Sequence, residues 1–263
     1  MAQTSNQHSA KAAYADELHK LQMYLDTLQA SVAAARASTT IPIVFWGVTF
    51  PVEQGLIDSY ARPGRNVTGV TWNAGAQMFG KMLEIVRQIS PGAVRIAHFT
   101  YPTALRTVAG GQTDALDREM ASAARSLGME ARSLPISKRE DFVGAFKEVL
   151  AFRAQALAVG TTWLSYLELK SILAFASRNR LIDVYDTRQF VDAGGLISYG
   201  PDNLYLRERA AVYADRILRG ARPADIPVEQ PTQFELAVNL KTARSLGVAI
   251  PQSLLLRADQ VIE

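Results

Sequence analysis

Cysteine is absent from the 263 residues, which excludes disulfides, thiolate nucleophiles and sulfur-ligated metal sites together. Histidine is scarce. His8 and His19 lie near the N-terminus and His98 sits in an apolar stretch, so no pair has the spacing of a metal site. Long hydrophobic runs are missing too: the longest, at residues 41–48, falls far short of the ~20 residues that a membrane-spanning helix needs. Excess charge of one sign is also lacking, with 28 Lys and Arg against 25 Asp and Glu and a formal net charge of +3. No basic stripe is interleaved with aromatics, so nucleic acid is not an expected partner. The first ten residues are polar and lack the basic-then-apolar layout of a secretory signal.

What is present is an ordinary globular composition, 48% hydrophobic and 20% charged, long enough for one large domain or two small ones. Residues 10–37 read as helix, because Leu18, Leu21, Leu25, Leu28 and Val32 recur at steps of three and four without Gly or Pro between them. The stripe barely exceeds two heptads, so burial against the body is expected over a coiled coil. From residue 41 the period changes. Apolar strands are expected at 41–48, 67–71, 94–99, 130–134, 156–159, 181–185, 194–200 and 234–239. Helices are expected at 52–60, 77–89, 112–127, 139–152, 164–178, 205–220 and 240–246. Such alternation requires parallel strands with right-handed crossovers, an α/β doubly wound architecture. The strand count and the Gly-punctuated stretches at 66–73 and 194–201 favour two sheets joined by crossing segments.

In open α/β sheets ligands bind outside the carboxyl ends of the strands. Those positions hold Thr49; Thr71, Trp72 and Asn73; Thr100 and Tyr101; Thr161, Thr162 and Trp163; and Tyr185, Asp186 and Thr187. Tyr199, in the second crossing stretch, joins the candidate ligand-binding set. Each Thr has two readings, a helix N-cap or a hydroxyl that helps a helix N-terminus grip a carboxylate. Trp72, Tyr101, Trp163 and Tyr185 could wall an apolar ligand or pack in the core, whereas Trp46, inside a strand, reads as core. There is no Gly-x-Ser-x-Gly elbow, Walker loop or Gly-x-Gly-x-x-Gly turn, and the AGGQ run at 109–112 lacks a phosphate loop's lysine. Glu140 and Asp141 fall in a helix's first turn, where the dipole explains them. Neither catalysis nor a cofactor nor a metal is expected.

Four blocks carry a family resemblance: ARPGRNVTGVT at 61–71, FVDAGGLISYGPD at 190–202, PVEQPTQFELAVNLKTARSLG at 227–247 and IPQSLLLRADQVIE at 250–263. They resemble the ABC-transporter substrate-binding proteins that include tryptophan- and tyrosine-binding members, from about residue 30 to the C-terminus. The resemblance implies a periplasmic-binding-protein-like fold, two doubly wound lobes joined by crossing strands that close on a small solute. It implies a first lobe from 1–72 and 198–263 and a second from 73–197. The implied cargo is an amino acid or a small aromatic or carboxylated compound, passed to a membrane permease, with a periplasmic location, or a cytoplasmic one if Met1 is the native start.

Departures from the family pattern shape further expectations. The strands that usually precede the position of Ala12 are missing, and residues 21–29 read as helix where the family has a strand and loop. The first lobe is therefore expected to be N-terminally incomplete, with self-association through an exposed edge at 41–48. Phe50 stands where an Asp-Pro-Val turn is common, and Tyr101-Pro102 lacks an intervening Asn. A truncated relative acting through a partner protein is the alternative function, and an α/β-fold enzyme the third.

Overall fold

Among the described residues, the alternation of apolar strands and amphipathic helices builds two sheets of unequal size, one of two strands and one of seven. The computed structural model describes residues 33–34, 37–52, 54–72, 76–101 and 112–263. The helix expected over 10–37 lies outside the described residues apart from 33, 34 and 37, and so does Asn73. The expected incompleteness of the first lobe likewise concerns residues outside them.

The smaller sheet pairs β1 (Ile43–Val48) with β2 (Val67–Thr71) in parallel. Gly69 allows the two backbones to approach: a Cβ there would lie 2.0 Å from the Phe45 carbonyl oxygen, and its φ of +153° suits glycine alone. One face buries Phe45, Val48 and Val67 against Leu56, Ile57 and Val228. The helix expected over 52–60 is replaced by turns. Phe50 and Gly55 both adopt positive φ, which breaks any run of right-handed helix. Isolated turns result, with Gln54 N donating to Phe50 O and Leu56 N to Pro51 O. They serve to drop Leu56 and Ile57 into the core.

The larger sheet grows from repeated units. In chain order these are α1 (Ala76–Ile89), β3 (Arg95–Thr100), α2 (Gln112–Ser126), β4 (Glu130–Pro135), α3 (Asp141–Ala151), β5 (Ala156–Val159), α4 (Trp163–Leu167), α5 (Leu169–Arg178), β6 (Ile182–Tyr185), α6 (Arg188–Asp192) and β7 (Ile197–Pro201). Then come α7 (Asn203–Leu218), β8 (Phe234–Asn239), α8 (Leu240–Leu246), α9 (Gln252–Leu255) and β9 (Gln260–Ile262). The strand order is β4-β3-β5-β6-β7-β8-β9, and every pair is parallel except β7 with β8. Residues of α1, α2, α8 and α9 cover one face, including Met82, Leu83, Met120 and Leu246. Residues of α3 to α6 cover the other, including Phe142, Val149, Ile172 and Phe190. The single helix expected at 164–178 is two, meeting at Glu168. Among the buried residues of the first face, His98 packs edge-on to Phe79, and burial lowers its pKa to about 4, so the ring is neutral.

The expected assignment of residues 198–263 to the first lobe needs correction. β7, β8 and β9 hydrogen-bond into the seven-stranded sheet. Only the excursion between β7 and β8 serves the small sheet, where Leu206 and Tyr213 of α7 and Ile226 beyond it are buried with Val70 and Trp72. The returning chain lies beside β2, with Thr68 Oγ1 donating to Ile226 O at 2.8 Å and Glu229 bridging Val70. Arg209 grips the Glu229 carboxylate with both Nε and Nη2, and Tyr205 donates to the same carboxylate. Sequence periodicity marks elements, whereas strand partners are set by long-range pairing, and the antiparallel return of β8 leaves no local mark.

Asp183 on β6 is fully buried, accepting hydrogen bonds from Tyr185 Oη at 2.8 Å and Leu196 N at 3.2 Å. Burial raises its pKa to about 6. A folded-state pKa above the unfolded value means that stability falls as pH rises from about 4 to about 6 and is level beyond. Asp183→Asn retains an acceptor oxygen for both donors. Chemical denaturation should show the variant matching the wild type near pH 4 and exceeding it by about 3 kcal/mol above pH 6.

Gly200 on β7 passes so close to β6's end that a Cβ would lie 1.8 Å from Asp186 O and 2.6 Å from its carbonyl carbon. Backbone cannot yield as a side chain does. Gly200→Ala is expected to cost about 1–3 kcal/mol in urea unfolding. Gly80→Ala, inside α1 with nothing within 4 Å of the new methyl, should instead stabilise by about 0.5–1 kcal/mol.

Candidate functional site

The strand ends of the two sheets meet at Asp186, the residue after β6. Its carboxylate accepts from Thr161 N at 3.0 Å, from the Thr161 hydroxyl and from the Trp72 side chain. Thr161 follows β5 and Trp72 follows β2, so the carboxylate joins the large sheet to the small one. Asp186 is 7% exposed, and burial raises its pKa. Its donors are all neutral, and among the described residues no Lys, Arg or His forms an ion pair with it. Gly160 leaves room beside it: a Cβ there would stand 3.8 Å from Asp186 Oδ2 and 4.0 Å from Tyr101 Cε2. The buried Tyr101 hydroxyl lies near Ser165 and Thr162 yet makes no hydrogen bond of normal geometry to the described residues. Burial raises its pKa as well.

The short helix α4 begins here. Thr162 is its N-cap, accepting from Ser165 N at 3.3 Å, while Ser165 Oγ accepts from Thr162 N at 2.8 Å. This reciprocal cap holds the first turn in place and presents Trp163, still 41% exposed. One position beyond Ser165, Tyr166 packs its ring on Phe190 at 5.3 Å. The Tyr166 phenol is raised in pKa by burial and by the negative charge of Asp186, with Thr187 and Arg207 acting in the opposite sense. Arg207, exposed on α7, lays its guanidinium carbon 4.9 Å over the ring of half-buried Trp46.

Trp72, Tyr101, Thr161, Thr162 and Asp186 are thus gathered around one point, with Trp163 on the adjoining helix. Two of the hydroxyls read as able to grip a carboxylate are committed otherwise: Thr162 caps α4, and Thr161 holds Asp186. Thr100 and Thr71 are buried at the ends of β3 and β2, and the Thr49 carbonyl accepts from the Gln54 amide at 2.6 Å. Tyr185 is a correction. It is wholly buried, donates to Asp183 and stacks on Phe190 at 4.7 Å, because strand alternation turns it away from the Asp186 side. Tyr199 is another. It stacks on Phe234 at 5.4 Å and lies near Lys81 and Glu84 of α1, outside the gathering. Tyr166 and Arg207 escaped sequence reasoning, since a Tyr inside a helix and an Arg on an exposed helical face carry no local signal.

Among the described residues no group of metal-ligating side chains assembles, and no helix is long and apolar enough to cross a membrane. A shallow depression lined by Asp117, Arg118, Ala121, Arg125 and Ser133 lies between α2 and the edge strand β4, away from Asp186.

The chain is 26% identical over 226 residues to a tyrosine-binding protein of Clostridioides difficile (strain R20291), an alignment covering 86% of this chain and 63% of that protein. The chain therefore spans less than two thirds of that curated relative's length. An ABC domain from Streptococcus pneumonia, solved in complex with L-Trp, shares its fold with a TM-score of 0.77 at 22% identity, covering 89% of this chain and 77% of that one. A ligand-free, open substrate-binding protein with adhesive properties from Clostridium difficile matches with a TM-score of 0.66 at 21% identity, covering 88% and 75%. Residues 23–262 match the model of the ABC transporter substrate binding protein family, and the chain belongs to that family.

Proposed function

We propose that this chain is the solute-binding component of an ABC import system and that its cargo is an amino acid, held where the two sheets meet with its ammonium group on Asp186. The observation that carries the reading is the Asp186 carboxylate, buried among neutral donors with no cation paired to it among the described residues. A buried charge of this kind is costly until an opposite charge arrives, and a solute ammonium supplies one. The aromatic surroundings suit an apolar or aromatic side chain: Trp163 is accessible, and Trp72, Tyr101 and Tyr166 stand around the carboxylate. The names of the relatives point the same way, one a tyrosine-binding protein and another solved with L-Trp. Capture and release are the whole reaction on this reading. The solute leaves chemically unchanged, outside the cytoplasm, for a membrane permease powered by a separate ATPase.

Calorimetric titration of the chain with the common amino acids, L-tryptophan and L-tyrosine included, should find a binder. Asp186→Asn should weaken that binder about tenfold or more, the scale of a charge-assisted hydrogen bond, while the variant keeps the wild-type circular dichroism. Because the Asp186 pKa is raised, wild-type affinity should fall on acidification at a higher pH than an ordinary carboxylate would dictate. The Asn variant should lack that fall. Unchanged affinity in Asp186→Asn, or no binding of any amino acid by the wild type, overturns the reading.

A further inference from the structure

We propose that Arg207, seated over Trp46, is the anion-binding pole of the same site and receives the carboxylate of a zwitterionic solute whose ammonium faces Asp186. The inference deepens the solute-binding reading and rests on it. Its geometry starts from α7. Leu206 is fully buried in the cluster that contains Trp72, and Trp46 packs against that cluster. The next residue, Arg207, is exposed and lies over the Trp46 ring. Since the Trp72 side chain also holds Asp186, the acidic and basic groups are each one contact away from the same tryptophan cluster. Tyr166 reports the same proximity, as the charges of Asp186 and Arg207 both reach its phenol with opposite effect.

Among the described residues the charge of Arg207 has no carboxylate partner, in contrast to Arg209 and Arg219 on the same stretch, paired with Glu229 and Asp215. Stacking on an indole fixes the guanidinium plane without using its N–H groups, which remain in the fork that matches a carboxylate. A fixed guanidinium with no carboxylate partner among the described residues supplies the carboxylate recognition that Thr161 and Thr162, both engaged elsewhere, do not.

The test is calorimetry on the whole chain with L-tryptophan and its decarboxylated amine, tryptamine, and in parallel with L-tyrosine and tyramine. Arg207→Met keeps an unbranched stem over Trp46 and removes the charge, and Arg207→Lys restores a charge without the fork. The wild type should prefer the amino acid to its amine. Arg207→Met should weaken the amino acid about tenfold or more and leave the amine unchanged, with Arg207→Lys in between. The proposal is overturned if Arg207→Met binds the amino acid like the wild type, or if it loses amino acid and amine equally, the mark of a packing role. Either of those results leaves the solute-binding reading standing. A wild type that binds none of the four probes overturns the inference, whereas the solute-binding reading falls only if no common amino acid binds.

Discussion

A carboxylate buried with no cation paired to it among the described residues governs the junction of the two sheets. Removing an unpaired charge from water costs several kcal/mol even after relaxation, so Asp186 must be held by donors placed in advance. They come from chain segments far apart in sequence, Thr161 after β5 and Trp72 after β2. The glycines nearby follow from the same need. Gly200 lets β7 run against the Asp186 backbone, and Gly160 keeps the space beside the carboxylate open. With hydrogen bonds but no counter-charge among the described residues, the carboxylate is satisfied in geometry and unsatisfied in charge. That imbalance is what the proposed solute ammonium would relieve.

Much of the large sheet was legible because its information is local. The strands at 94–99, 130–134, 156–159 and 181–185 each lie between amphipathic helices, and the structure places all four side by side with one exchange of order. The rule that ligands gather at strand ends likewise pointed to Asp186, Thr161 and Trp72, which the structure brings together. Local pattern failed where a distant contact decided the outcome. Residues 52–60 have a helical look, yet positive φ at Phe50 and Gly55 breaks them into turns that feed Leu56 and Ile57 to the core. β8 was recognised as a strand but given to the wrong sheet, because its partner is β7, which runs the other way. Tyr185 precedes Asp186 by one residue, and that step points it at the opposite face, where it binds Asp183. Arg207 is an unremarkable basic residue until α7 is laid across β1.

The same excursion divides the C-terminal third of the chain between the two sheets. α7, the turn at Pro223–Asp225 and the chain up to Glu229 belong with β1 and β2, locked there by Arg209, Glu229 and the Tyr213 hydroxyl on Pro227 O at 2.8 Å. β7 and β8 on either side belong to the large sheet. The backbone crosses between the two sheets after β7 and before β8, where Asp202 N donates to Gln233 O at 3.1 Å and ties the outgoing and returning strands together.

The small sheet is also assembled out of order. Its strands lie at 43–71, while the helix and returning segment that seal it lie at 203–229, so the hydrogen bond from Thr68 to Ile226 spans 158 positions. On a ribosome, where the chain emerges N-terminus first, β1 and β2 must wait with Val70 and Trp72 uncovered until the whole run from β3 to β7 has been made. The docking of α7 therefore comes only after β1, β2 and that intervening run have been made, and until then the cluster around Val70 and Trp72 lacks the cover of Leu206, Tyr213 and Ile226.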